Sequence, residues 1–597
     1  MTTPTVDGDF DPYMTAILAN RIDGIIREMT NTLLRAARSG VINSARDFSC
    51  SICTGGNELL ASAEGLPIHI FGSHMQARTM TENAGASLRE GDCYLHNDPY
   101  SGNSHAGDHT FLVPVFIDGE HLFTTVAKAH QADIGNALPT TYMAGARDQY
   151  EEGALIFPAV RIQSDYRMVD DVVRMCRARI RVPDQWYGDF LAGIGSARIG
   201  ERRLKELCAK YGKPVIKAFM RHWMRYAEQR MLAAIKTLPA VTLTNTGAHD
   251  PFGSLLPDGI PLRASVAIDP EQGYIDVDLR DNPDNVACGF NQSEACARAS
   301  VMAGIFNSID ADVPRNSGSF SRIRIHIRQG SVCGGPVFPS SCSLATTNVS
   351  DRMVNIVQAS FAQIGDGWGL AEGGVGMGAG CAVVSGGDPR LGGAAFVNQL
   401  FLTNSGGPAS ARADGWVTYG LPVAAGLMYR DSVEIDELKH PIEVSHLRLV
   451  PDTAGAGRFR GAPSMEVGYI ARCPRMDVIW PCDGTHFPAA GARGGLAGAC
   501  AEHRLVRADG AVEPLPNIVV LTLSEGEKVE GRHASGGGYG RPSERDPARV
   551  LHDVLEGWES PQRARDVYCV ALTGSVEAGD LSVDLAQTQR LRAAVTV

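Results

Sequence analysis

The sequence predicts an α+β fold: a large mixed body with an N-terminal helix, a strand-and-loop region rich in histidine and aspartate, and a strand-rich C-terminal part. Three observations carry this. An apolar stripe at helical spacing opens the chain. Short apolar runs punctuated by turn residues follow, with helical text after them. From about 431 to 529 strand candidates dominate. The chain has 597 residues, of which 44% are hydrophobic and 20% charged, enough for a substantial core.

The elements follow in order. Asp11-Pro12 is a helix start: a capping carboxylate, then proline at the first helical position. Met14, Leu18, Ile22, Ile25, Met29 and Leu33 then recur at spacings of three and four, one buried face of a long helix, with Gly40 as its stop. Between Asp47 and Gln163, "FLVPVFI" and "LFTTVAKAH" are strands joined by a hairpin turn at Asp118-Gly119. Helices are expected from Gln185 to Tyr211 and from Val215 to Leu238, separated by the breaker "GKP". "SVAID" and "YIDVDLR" are strands, and Ala295–Ile309 is helical. Residues 365–420 are rich in Gly, Ala and Ser. "IEVSHLRLV", "MEVGYIA", "MDVIW" and "NIVVLTL" supply C-terminal strands, and "DPARVLHDVLEGW" a short helix near the end. No internal repeat and no disordered linker is evident.

Composition excludes several classes. The formal net charge is -12 and no Lys/Arg block of five or more occurs, so nucleic acid is not an expected partner. No apolar run is long enough to span a bilayer. "MTTPTVDGDFDPYM" is acidic and lacks the apolar stretch of a leader, so a cytoplasmic location is expected. The 14 cysteines form no dense framework, and the lone C-x-x-C of Cys50 and Cys53 has no second pair to complete a zinc site.

The stretch with chemistry is "HNDPYSGNSHAGDHTFLVPVF", His96 to Phe116. His105 and Asp108 lie three apart on a turn, and His130 ends a strand in "AKAHQADIGN". "ARDFSC" supplies Asp47. Two imidazoles and two carboxylates form an N/O donor set suited to Zn, Fe, Mn or Ni. A metal there would activate water and polarise a carbonyl. The competing reading makes Asn97, Asp98 and Asp108 turn formers, and His69, His74, His96 and His109 loop or core histidines.

Six blocks then resemble one family in collinear order. They are "ARDFSCSIC", "HNDPYSGNSHAGDHT", "AKAHQADIGN", "YEEGALIFP", "GAGRFRGAP" (455–463) and "HASGGGYGRPSERDPARVLHDVLEGWESPQRARDVY" (533–568). The chain is similar to the hydantoinase B / 5-oxoprolinase / acetone carboxylase family across nearly its whole length. The resemblance implies a hydantoinase A-type partner that carries ATP and Mg on an actin/hexokinase-like fold and phosphorylates a carbonyl oxygen of the substrate. It implies that the B-type chain holds one divalent transition metal (Zn, Mn or Fe) on Asp47, His105, Asp108 and His130 and completes the reaction within a hetero-oligomer. In hydantoinases and oxoprolinases water opens a cyclic amide; in acetone and acetophenone carboxylases a C–C bond forms.

This sequence departs from the family pattern beside the ligands. G-G-T-H reads Gly102-Asn103-Ser104-His105, L-P-D reads Ala106-Gly107-Asp108, and D-x-G-G reads Asp133-Ile134-Gly135-Asn136. These changes spare the ligands and are expected to alter the pocket wall. Glu151 and Glu152 lie in a matching block; Glu152 is the candidate base or partner of a ligand histidine, with surface glutamates as the alternative. His69 is a pocket or a core histidine. Asp133 is a candidate to orient His130 through its second ring nitrogen. Arg460 and Arg493 are phosphate-holding candidates, with exposed loop arginines preferred. "SGGGYG" (535–540) is read as a close-packed turn in preference to a phosphate nest, and "GGVGMGAG" (373–380) as packing. No P-loop occurs, so ATP is not expected on this chain.

The sequence therefore divides into a metal-binding catalytic region (1–240), a central α/β region (241–430) and a strand-rich C-terminal region with a terminal helix (431–597). The favoured expectation is the metal-dependent subunit of an ATP-dependent cyclic amide hydrolase. A ketone carboxylase subunit is the alternative, and a non-catalytic scaffold for the A-type subunit the second alternative.

Overall fold

The computed structural model describes residues 10–62 and 65–595. The acidic stretch read against a leader lies, over residues 1–9, outside the described residues. Two compact units emerge, neither continuous in sequence. One takes its described residues from Met1–Thr242, Ala264–Ser350 and Ala395–Gln399, the other from Leu243–Arg263, Asp351–Ala394 and Leu400–Val597. Helices and strands are mixed throughout, as an α+β sequence requires.

The first unit is organised by a seven-stranded antiparallel sheet. Its strands are β1 (Phe48–Thr54), β2 (Leu59–Ser62), β3 (Cys93–His96), β4 (Asp108–Ile117), β5 (Glu120–His130), β6 (Val160–Ser164) and β7 (Arg167–Met168). Their order is β2-β1-β5-β4-β3-β6-β7. The β4–β5 hairpin turns at Asp118-Gly119, both with positive φ (50° and 76°), the pair of left-handed residues that a two-residue turn needs.

Strand period sets what each face of this sheet sees. On β4 and β5, Phe111 and Thr125 face the helix Pro183–Tyr211: Thr125 donates to the Ala197 carbonyl at 2.9 Å. A Cβ on Gly193 would meet Phe111 at 2.2 Å. A Cβ on Gly200, seven residues on and on the same helix face, would strike Met29 Sδ at 2.6 Å and Thr125 at 2.7 Å. These glycines let helix and sheet approach closely. The residues at Asp108, Thr110, Lys128 and His130 alternate onto the opposite face. β1 is buried at every position, so its text is continuously apolar or small.

The helix Pro12–Ala36 starts as expected, with Asp11 accepting from the Tyr13 amide. It buries Leu18, Ile22, Ile25, Ile26, Met29 and Leu33 against its neighbours, and Met14 is half-buried. Gly40 does not end it: the helix stops at Ala36, and Gly40 opens a short helix, Gly40–Asn43. There Asn398 reaches the Gly40 amide at 3.0 Å, and a side chain on Gly40 would collide with it. Gly212 breaks the next helical run with φ 85°, and Lys213–Ile235 follows. The strands Ile260–Asp269 and Tyr274–Asp278 pair antiparallel through Ser265 to Asp269. The helix expected over Ala295–Ile309 spans Glu294–Phe306, capped by Ser293.

In the second unit, Ile442–Val450, Ser464–Ala471, Lys528–Arg532, Glu502–Val506 and Val512–Leu515 form one sheet in that order. Arg475–Pro481 pairs between Val383–Asp388 and Ile518–Ser524. The helix Pro547–Leu555 packs Val550 and Val554 with Ala564, Tyr568 and Val570.

Candidate metal centre

Strand register brings the expected residues to one end of the first sheet. β5 lies between β1 and β4. Asp108, the first residue of β4, pairs with His130, the last of β5. Asp47 immediately precedes β1, and its carbonyl accepts from the His130 amide at 3.0 Å. His105 lies on the turn that feeds β4.

That turn is held by side chains. Asn97 donates to the carbonyls of Ala106 and Leu155 at 2.8 and 2.9 Å and accepts from the Phe157 amide at 2.7 Å. Asn103 donates to the carbonyls of His105 and Asp108 at 2.8 and 3.0 Å and accepts from Gln76 and Thr110. Ser104 donates to Asp108 Oδ2. Asn103 and Ser104 are two of the departures from the family pattern, and they brace a ligand rather than merely line the wall. Asp98 is a turn former, accepting from the Tyr100 amide and the Ser101 hydroxyl.

His105 Nε2, Asp108 Oδ1 and His130 Nδ1 converge. The carboxylate oxygen lies 3.0 Å from each ring nitrogen, and the two nitrogens are 3.2 Å apart. All three residues are buried. Among the described residues they form the group of metal-capable side chains whose ligand atoms lie within 4.8 Å of one another. Asp47 is not one of the three. Its carboxylate Oδ1 sits 3.6 Å from His69 Nε2, which is 3.1 Å from Asp108 Oδ2. His69 thus lies beside the cluster, between two carboxylates.

The donor set fits a cation. His105 Nδ1 lies 2.7 Å from the Ser343 carbonyl, an obligate acceptor, so Nδ1 carries a proton and Nε2 is the nitrogen turned toward Asp108 and His130. His130 Nε2 meets Thr141 Oγ1 at 2.8 Å, leaving Nδ1 toward the centre. A cation would sit between the Asp108 carboxylate oxygen and the two ring nitrogens in place of the protons that otherwise join them. Electrostatics point the same way. Burial opposes a charged His105 ring, yet the Asp108 carboxylate outweighs it and raises the ring's proton affinity. Burial also pushes Asp108 upward, but His69, His105 and Lys128 hold its carboxyl well below the usual range. Burial pushes Asp47 up, against the pull of His130 and His69.

Other residues fall outside the cluster. Glu152 is buried, and its Oε1 accepts from Ser341 Oγ at 2.5 Å and the Cys342 amide at 3.1 Å; burial raises its carboxyl above the usual range. Glu151 pairs with Arg147 at the surface. Asp133 does not orient His130. It sits beyond the strand end and accepts from the Gly135 amide and from Arg181, while Thr141 takes the ring nitrogen. His109, adjacent to Asp108, alternates to the helix-facing side against Phe157 and Trp186, with its ring pushed down to about 3 by burial. His96 and His74 are pushed down to about 4, chiefly by burial.

In the second unit Arg460 is buried and paired with Asp553 at 3.0 Å, so it is neither an exposed loop arginine nor free for phosphate. Arg493 is exposed. The amides of Gly536, Gly537, Gly538 and Gly540 all donate to backbone carbonyls, so "SGGGYG" is a packed turn. Cys50 and Cys53 are buried thiols, pushed up to about 11 and 12 by burial.

Sequence reading missed Lys128, Thr141, Tyr142 and Ser343. Lys128 is buried on β5, and its Nζ is 3.6 Å from Asp108 Oδ2. Its signal was available: two residues before His130 on a strand means the same face. Tyr142 stacks on His130 at 5.1 Å and 11°.

A family profile described as Hydantoinase B/oxoprolinase matches residues 11–542. The chain belongs to that family. It is 28% identical over 596 residues to the beta subunit of the caprolactamase of Pseudomonas jessenii, covering 98% of this chain and 99% of that one. The crystal structure of the ATP-dependent caprolactamase from that organism superposes with a TM-score of 0.88 at 27% identity, covering 98% of this chain and 100% of that one. A protein from a Pseudomonas species, named as the B-type component of a D-/L-hydantoinase, is 27% identical over 98% of each chain. The acetophenone carboxylase delta subunit of Aromatoleum aromaticum is 24% identical over 98% of this chain and 89% of its own.

Proposed function

We propose that this family member is the metal-dependent B-type subunit of an ATP-dependent cyclic amide hydrolase, acting on a hydantoin- or lactam-like ring that an A-type partner phosphorylates. The observation that carries the reading is the convergence of His105 Nε2, Asp108 Oδ1 and His130 Nδ1 within 3.2 Å, with all three residues buried. The kinship with the beta subunit of a caprolactamase and the B-type component of a hydantoinase supplies the reaction class. The proposed pair works in the cytoplasm as a hetero-oligomer, with ATP and Mg on the partner.

Amide resonance makes direct hydrolysis slow. Phosphorylating the amide oxygen converts it into an imidate-like electrophile with a good leaving group. His105, Asp108 and His130 would hold a divalent transition ion (Zn, Mn or Fe), with the Asp47 carboxylate beside them, and the ion would supply Lewis acidity and acidify water. The chain's own groups do the rest. Asp108 Oδ2 accepts from Ser104 and faces His69 and Lys128, which offset its charge and fix its rotation. His69 Nε2 lies between the Asp47 and Asp108 carboxylates, 3.6 and 3.1 Å from their oxygens. The Ser343 carbonyl and Thr141 hydroxyl set which nitrogen of each ring faces the centre. The intact donor set speaks against a scaffold without catalysis.

The test is to purify the chain with its A-type partner, supply ATP with a panel of hydantoins and lactams, and follow ring-opened product and phosphate release. His105→Ala and His130→Ala are expected to abolish turnover, and undiminished activity in either overturns the mechanism. The acetophenone carboxylase relative favours a second reading, ketone carboxylation. Dependence on bicarbonate, with labelled carbon entering the product, selects it over hydrolysis.

A further inference from the structure

Residues 341–343 lie more than 200 positions from the histidine turn in sequence, yet they touch the supports of both ring ligands. The Ser343 carbonyl receives His105 Nδ1–H at 2.7 Å. The Ser343 hydroxyl donates to the Thr141 carbonyl at 3.1 Å and accepts from the Met143 amide at 2.8 Å. Thr141 in turn places its own hydroxyl 2.8 Å from His130 Nε2. One short segment therefore sets the outer nitrogen of His105 directly and that of His130 through Thr141. Between them Tyr142 stacks on both rings, at 6.0 Å from His105 and 5.1 Å from His130.

The segment lies outside the named helices and strands, and side chains fix it. Glu152 is the anchor. Its Oε1 accepts from the Ser341 hydroxyl and the Cys342 amide, and Ser341 Oγ also accepts from the Ser343 amide at 3.4 Å. Asn291 donates to the Ser341 carbonyl at 2.9 Å, and the Ser341 amide donates to the Arg147 carbonyl at 3.1 Å. Glu152 sits on a single helical turn, Gln149–Glu152, capped by Asp148. That turn is tied to the same segment from outside, since the Gln149 amide donates to the Pro339 carbonyl at 2.9 Å. Through Oε1 this buried carboxyl holds a side-chain hydroxyl and a backbone amide of the segment.

We propose that Glu152 is a positioning residue: by anchoring the Ser341–Ser343 strap it fixes the tautomer and orientation of His105 and, through Thr141, the orientation of His130. This rests on the metal-centre reading above. It predicts that loss of the anchor loosens the ring supports and weakens metal binding, as loss of such outer partners does elsewhere by about 10- to 100-fold. Glutamine keeps an acceptor oxygen at the same position and preserves both bonds; alanine removes it.

The experiment uses the full chain, stripped and reloaded with Co2+, reading its visible absorption spectrum and its Kd by competition with a chromophoric chelator. Glu152→Ala is expected to raise Kd at least about tenfold and shift the visible bands, with Glu152→Gln within about threefold of wild type and spectrally unchanged. A merely structural role lowers the melting temperature without moving the spectrum of the folded protein. Folded Glu152→Ala with wild-type spectrum and affinity overturns the proposal. Should Glu152→Ala not fold, Ser341→Ala removes one anchor bond and must still shift the spectrum; an unchanged spectrum overturns it equally. His105→Ala separates the two claims. Wild-type Co2+ binding that survives His105→Ala sinks the metal-centre reading and this inference with it, whereas binding lost there but untouched by the strap variants sinks the inference alone.

Discussion

A single methyl group on Gly107 tests the geometry of the centre. A Cβ built on Gly107 would meet His105 Cε1 at 2.7 Å, His130 Cε1 at 2.8 Å and His105 Nε2 at 2.9 Å. Ordinary contact begins near about 3.5 Å, so Gly107→Ala asks both rings to retreat by roughly 0.6 to 0.8 Å. Neither ring is free to do so. His105 is held at Ser343, His130 at Thr141, and Tyr142 stacks against both. Gly107 does not adopt a left-handed backbone, so alanine adds a steric demand without a conformational one. Overpacking of this kind costs about 1–3 kcal/mol. Metal sites tolerate only about 0.2 Å of error in ligand distance, so the cost falls on the bound state. At about 1.4 kcal/mol per factor of ten, the expected loss of metal affinity is roughly 10- to 100-fold. The assay is chelator competition on the purified chain, with thermal unfolding of the metal-free protein as the control for folding. Affinity within about twofold of wild type in a folded Gly107→Ala variant would refute the reasoning, because it would mean the imidazoles are not pinned where the structure puts them.

Two further outcomes follow from packing and burial. Gly193→Ala drives a methyl into Phe111 across the helix–sheet contact and should lower stability by about 1–3 kcal/mol without changing metal affinity; chemical denaturation of the metal-free chain checks it, and an unchanged midpoint contradicts it. Asp351 is buried, and burial pushes its carboxyl up to about 7, with the Val423 amide pulling the other way. A folded value above the unfolded one means that its stabilising contribution is full below about pH 4 and is lost as pH rises toward 7. Asp351→Asn removes that loss, so its stability relative to wild type should climb by up to about 1.4 kcal/mol per pH unit across this window and level off above it. Parallel melting curves of the two proteins from pH 4 to 7 would speak against the burial argument.

What the sequence made legible was local or periodic. The stripe from Leu18 to Leu33 and the Asp118-Gly119 hairpin each depend on neighbours along the chain, and each is present in the structure. His105, Asp108 and His130 could be picked out because their spacing and residue types carry the chemistry, and the β4–β5 register then makes Asp108 and His130 direct partners. The supports were not legible. Ser343 is one serine in small-residue text, and only folding sets its carbonyl beside His105. Asp133 was assigned the role that Thr141 fills, because sequence proximity to His130 cannot show that the chain has turned Asp133 toward Arg181. Arg460 read as a loop arginine because its partner Asp553 lies 93 residues away. Gly40 read as a helix stop from position alone, whereas its lack of a side chain serves the contact with Asn398.

The central claim is that three buried side chains from one end of one sheet hold a single cation. The most direct measurement is the metal content of the purified chain after exhaustive dialysis, by elemental mass spectrometry, alongside a His105→Ala/His130→Ala double variant. The account predicts about one divalent transition ion per wild-type chain and close to none in the double variant. A folded wild-type chain that takes up no metal, or a double variant that keeps its full complement, would contradict it.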